Sequence, residues 1–136
     1  MAIQDAPDGT QWVQVISVVV ATPTPPEPAH EAAAGGIGHY AGSSEEYQVV
    51  KDWTVTPGKV GELKEISFTG TVLAKTHWKV VIGAIDFVAG LLIGAPLTIP
   101  FFDLKLVATT VVTVYCKSTD GSAINADASI VAKETG

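Results

Sequence analysis

One cysteine, Cys116, and three histidines, His30, His39 and His77, are the side chains best suited to nucleophilic or metal chemistry, and their spacing limits what they can do. The histidines stand nine and thirty-eight positions apart. With Glu31 or Glu45 as a further ligand they still match no compact metal-binding pattern, and no His-x-His with a trailing Glu occurs. Cys116 alternates with Val112 and Val114, which puts it on the inward face of a strand, where a thiol is inert packing with a raised pKa. His77 is the base that a nucleophilic Cys116 would need. The hexapeptide GIGHYA at 36–41 spells a dinucleotide fingerprint, but that motif works only between a strand and a helix whose N-terminus meets the pyrophosphate. Here an Ala-rich turn precedes it and no helix follows. Asn125, Asp127 and Ser129 share one strand face, too few oxygens for calcium without a looped backbone. No acids stand in a recognisable glycosidase context. The sequence therefore assigns no catalytic residue, no metal ligand and no cofactor-binding residue, and it calls for no cofactor.

Aromatic rings offer a different chemistry. Trp12, Trp53, Trp78, Tyr40, Tyr47 and Tyr115 could stack on sugars if a sheet presented them in a row. Trp78, however, alternates with Val80, Ile82 and Ala84 as core residues do, and Trp53 flanks the TPGK turn. A carbohydrate-binding, lectin-like module serving host attachment, with a glycan as partner, is thus the alternative function.

Composition narrows the classes further. Charged residues are 16% of the chain against 47% hydrophobic ones, so much of the exterior is expected to be neutral or in contact with another chain. The net charge of -6 resides in the first 50 residues, which contain acids and no Lys. Arginine is absent, which argues against nucleic acid as a partner because forked contacts with phosphate and guanine are lost. A lone cysteine permits no internal disulfide, and the acidic MAIQDAPDG opening is unlike a signal peptide, so synthesis in a cytoplasm is expected. The most apolar window, 87–102, is interrupted by Pro96 and Pro100 and is too short to span a membrane.

Period-2 alternation with Gly, Pro and Asp punctuation predicts strands at 11–21, 47–55, 61–73, 77–88, 96–102, 104–117 and 123–133. Asp120-Gly121 predicts a type I′ hairpin whose flanks present Val112, Val114 and Cys116 on one face, and Ile124, Ala126, Ala128, Ile130 and Ala132 on another. Both faces should meet the core. Residues 29–36, AHEAAAGG, predict at most a turn or two of helix, stopped by Gly35 or Gly36. Before them TPTPPEP predicts a stiff polyproline-like spacer. The chain reads as one all-β domain: an N-terminal strand and acidic Pro/Gly-rich arm over 1–46, then a β-sandwich body over 47–136. Jelly-roll-like connectivity is preferred to an immunoglobulin-like one because no Cys-Trp-Cys framework exists.

Residues 80–102, VVIGAIDFVAGLLIGAPLTIPFF, are too apolar for a loop in water and too rich in Gly and Pro for a plain central strand. Either they cross their own core or they form an exposed patch that a neighbouring subunit covers. The arm 21–46 holds too few large apolar groups to order itself, so it is expected to lie on a neighbour, its acids facing a cationic surface. Interface candidates are Pro23, Pro25, Pro26 and Ile37 in the arm, and Leu91, Leu92, Ile93 and Phe102 in the apolar stretch.

The C-terminal stretch HWKVVIGAID, followed by PLTIPFFDLKLVATTVVTVYCKSTDGSAINADASIVAKE, resembles small β-sandwich structural proteins of tailed bacteriophages. The likeness covers under half the chain. It implies a non-enzymatic virion component, such as a capsid decoration or accessory protein that stabilises subunit junctions. Its partners would be copies of itself, for instance in a trimer, and a major capsid or other virion protein.

Overall fold

The computed structural model describes residues 30–136. Eight strands run through them: β1 (Glu31–Gly42), β2 (Gln48–Thr54), β3 (Val60–Gly70), β4 (Thr76–Ile82), β5 (Ile85–Leu91), β6 (Leu97–Leu106), β7 (Val111–Ser118) and β8 (Ile124–Thr135). They form two four-stranded antiparallel sheets, ordered β1-β8-β3-β6 and β2-β7-β4-β5. Eight strands exchanged in this order between two facing sheets make a jelly roll. The predicted strand 11–21, with Trp12, Pro23, Pro25 and Pro26, lies outside the described residues. Among the described residues no helix is long and apolar enough to cross a membrane.

Alternation places the core. Leu63, Ile66 and Phe68 of β3 and Ile124, Ala128 and Ile130 of β8 face Trp78 and Val80 of β4 and Val112, Val114 and Cys116 of β7, all buried. Phe68 and Trp78 meet across the sandwich with ring centroids 5.0 Å apart. The three-residue step from Leu63 to Ile66 stays inward because a bulge at Lys64 interrupts both ladders of β3.

Four local expectations need correction. First, residues 31–42 are strand, where a helical turn was predicted over 29–36. They pair residue for residue with β8, from Glu31 opposite Thr135 to Gly42 opposite Ile124. The Ala and Gly that suggested a helix serve close approach instead. A β-carbon on Gly38 would stand 1.9 Å from the Val50 carbonyl oxygen, so only glycine lets β1 pass this near to β2. These residues take their order from their own sheet, and the expectation that they borrow it from a neighbour fails here.

Second, the Asp120-Gly121 hairpin is not formed. β7 and β8 belong to opposite sheets and are joined by a loop in which Gly121, but not Asp120, has positive φ. Asp120 instead accepts a hydrogen bond from the Ser122 amide and pairs with Lys75, tying the loop to a 3-10 turn at Leu73–Lys75. Third, the run 77–88 is two strands, because Gly83, at φ 63°, permits a turn between β4 and β5. Fourth, the break expected near residue 103 lies at 107–110. That turn carries no Gly or Pro and is held from outside, by backbone bonds from the Val55 amide to Thr110 and from the Thr109 amide to Val55.

Candidate interaction surface

The two sides of the sandwich differ. On one, β1 and β2 close against each other. On the other, β5 and β6 end their sheets with no further strand beside them among the described residues. Between these two edges lies an open cleft of about 330 Å³ lined by Ile82, Ile85, Phe87, Phe101, Phe102 and Leu104. Phe87 and Phe101, one from each sheet, meet there with ring centroids 5.2 Å apart and planes tilted by 51°. Phe102 is 85% exposed and Ile85 72%. Large apolar groups gathered at this exposure mark a contact surface more often than scattered ones do. Of the two readings of residues 80–102, the exposed patch describes Ile85, Phe87, Leu92 and Phe102, while Val80 belongs to the core.

The interface candidates are only partly brought together. Phe102 lines the cleft. Leu91 and Ile93 are half-buried and pack on the core, and Leu92, just past the end of β5, is exposed. Ile37, 78% exposed, stands on β1 at the opposite edge of the first sheet from β6, beside Ser67, Asp127 and Ser129. Sequence reasoning missed Ile82, Ile85, Phe87, Phe101 and Leu104. Gly83 inside the apolar run was the available signal: a turn there puts Ile85 and Phe87 on a strand of their own.

Elsewhere charged side chains pair with one another on the surface, while the buried Trp78 Nε1 has no hydrogen-bond partner among the described residues. Glu62 accepts a hydrogen bond from Lys64 Nζ at 2.8 Å and lies 3.5 and 3.8 Å from Lys105 and Lys133, which holds its carboxyl below the usual range. Glu62, Lys105 and Lys133 line an open groove with Glu31, whose carboxylate is 3.3 Å from Lys133. Each of the three lysines thus has a carboxylate within 4 Å, so none is held for an external anion alone. His39 Nδ1 lies 2.7 Å from Asp127 Oδ1 on the outer face of the first sheet. A neighbouring hydroxyl, that of Ser67, is bonded to Thr98 at 3.0 Å.

Cys116 is opposite Trp78 and faces the core, where burial pushes its thiol up to about 12. His77, one residue before Trp78, pairs with Lys117 and faces the other way, so the Cys116–His77 pair cannot meet. GIGHYA lies wholly within β1, without the strand-to-helix setting its chemistry requires. Among the described residues no three His, Cys, Asp or Glu side chains cluster as metal ligands.

The aromatic platform also disperses. Trp53 and Trp78 are buried. Tyr47 and Tyr115 stand together on the outer face of the second sheet but meet edge to face at 67°. Lys79 and Lys117 lie over the Tyr47 ring at 5.3 and 4.7 Å, and Tyr47 Oη accepts a bond from the Gly90 amide. No family model, curated protein or solved structure matches the chain.

Proposed function

We propose that this chain is a non-enzymatic structural subunit that assembles with copies of itself through the open β5/β6 side. The observation that carries the proposal is the apolar cleft at that side, flanked by two strand edges unpaired among the described residues and capped by the exposed Phe102. A free sandwich gains nothing by holding such a surface in water, whereas an assembled one buries it at about 25 cal/mol per Å². The setting that fits is a virion: jelly rolls build many viral shells, and the C-terminal stretch resembles phage structural proteins. Both supports are analogies of fold and pattern. In that setting the subunit decorates a capsid lattice and clamps its junctions.

A carbohydrate-binding role has less support, since Tyr47 and Tyr115 are tilted against each other and covered by ammonium groups instead of forming a flat row.

Light scattering of the purified protein over a dilution series tests the proposal. A stable oligomer that loosens when Phe102 is replaced by Ser is the expected result. A monomer at every concentration, or an oligomer indifferent to Phe102→Ser, would overturn it.

A further inference from the structure

Resting on the self-association reading above, we infer that two copies close into a dimer about a twofold axis running along the strands, with β6 of each beside β5 of the other. The partner's Phe102 then covers each open cleft. Edge geometry, shape and charge at the open side lead to this arrangement in turn.

The two edges are built against strand addition. Between the pairs Leu63–Leu104 and Glu65–Pro100, β6 sets residues 101–103 against the single β3 residue Lys64, so its edge is bulged where the cleft lies. Pro100 has no N–H to offer a ladder. β5 shifts register twice against β4, and Gly90, at φ 66°, has already given its amide to Tyr47 Oη at 3.0 Å. Bulges and proline keep an edge from pairing with a foreign backbone. Contact at this side is therefore made by side chains, and the one most exposed there is Phe102, within the β6 bulge.

Shape selects a second copy. The projecting Phe102 ring and the exposed Ile85 and Phe87 that can cover it line one cleft on one side of the molecule. A surface holding both the projection and its cover matches itself after half a turn, and such contacts come in identical pairs.

Charge selects the axis. An axis normal to the sheets would bring β6 against β6 and β5 against β5, whereas an axis along the strands brings β6 against β5 twice. The charged side chain described on β6 is Lys105, 3.5 Å from Glu62 on the outer face of the first sheet. On β5 it is Asp86, 3.8 Å from Lys79 on the outer face of the second. At 59% and 58% exposure both are free to reach a further partner. Their chain neighbours Leu104 and Ile85 line the same cleft, so the two charges stand at matching heights along the strands. The first axis opposes like charges at both rims. The second opposes each Lys105 to the partner's Asp86, and like-charge juxtaposition is what suppresses the wrong register at an interface.

Sedimentation of the full-length protein at low salt, where exposed pairs are least screened, tests the arrangement. The wild type should reach the mass of a dimer and no more. Lys105→Glu and Asp86→Lys should each raise Kd about tenfold, and both changes on one chain should return it to within about threefold of wild type. Mixing the two single variants should restore assembly as well, because both contacts again join opposite charges. Lys105→Ala and Asp86→Ala, which add no charge beside Glu62 or Lys79, give a gentler version, each weakening assembly about threefold.

A mixture of Lys105→Glu with wild type that binds tighter than either alone would overturn this axis in favour of like edges meeting. Growth in mass beyond the dimer would overturn closure. Assembly indifferent to all these charges, yet dissolved by Phe102→Ser, would overturn the arrangement and leave self-association standing. A monomeric wild type overturns both.

Discussion

Glu134 offers the sharpest test of how the two sheets are joined. It lies near the end of β8 and is buried, and its Oε2 accepts hydrogen bonds from Trp53 Nε1 on β2 and from the Thr56 amide, each 3.0 Å long. One carboxylate oxygen thus fastens the first sheet to the second. Glu134→Ala leaves the buried indole N–H and a part-buried amide without a partner. An orphaned buried donor costs about 1–3 kcal/mol, so with the amide discounted for its exposure the loss is about 2–4 kcal/mol. Glu134→Gln keeps an acceptor and gives up only the charge assistance, about 1 kcal/mol.

Trp53→Phe, combined with Glu134→Ala in a double-mutant cycle, should show coupling of about 1 kcal/mol or more. Urea unfolding followed by tryptophan fluorescence measures all four proteins. The pH dependence supplies an independent reading. The Thr56 hydrogen bonds, then the Trp53 bond and the charge of Lys59, hold the folded carboxyl below its ordinary value of 4.5. The unfolded chain therefore binds the proton first as pH falls, and the stabilisation present above pH 4.5 is lost as pH drops through the folded value. The wild type should accordingly converge on Glu134→Gln in acid. A Glu134→Ala protein within about 0.5 kcal/mol of wild type, the scatter of ordinary surface substitutions, would refute the reasoning, as would zero coupling to Trp53.

Gly38→Ala forces a β-carbon into the Val50 carbonyl and should cost more than about 2 kcal/mol, overpacking against backbone that cannot yield. Gly94→Ala, with open space around it, should be neutral, and chemical denaturation compares the two. Phe102→Ser should leave subunit stability within about 0.5 kcal/mol because the ring is already in water. The same change should weaken assembly by about 2 kcal/mol, some 30-fold in Kd, read from light scattering on dilution. Cys116, buried with its thiol pushed up to about 12, should resist alkylation until the protein unfolds, and labelling at the rate of a free thiol would contradict the packing.

Much of this fold is legible in local pattern. The inward set Ile124, Ala126, Ala128, Ile130 and Ala132 is buried as its alternation predicts, and so are Val112, Val114 and Cys116. Strict period 2 leaves a half-buried strand no other choice of face. The inward placement of Cys116 follows from the same logic, whereas the apolar character of 80–102 leaves a core crossing and an exposed patch both open. Partner choice is a different matter. Alternation reports which face of β7 and of β8 turns inward, and both faces meet the core, yet from opposite sheets; only packing of the whole chain decides that Asp120-Gly121 bridges two layers instead of closing a hairpin. The turn at 107–110 has no sequence mark because its bonds go to Val55, far away in the chain. Residues 29–36 look like a turn or two of helix by propensity, yet 31–42 form a strand because β8 offers an edge and β2 leaves room only for glycine at Gly38. The cleft likewise exists only after β5 and β6, from different sheets, come to lie side by side. Local sequence thus determined the faces of the strands, while their neighbours, the long-range turns and the open side were settled by tertiary contacts, because hydrogen-bond partners and steric clearance belong to pairs of segments and not to any one of them.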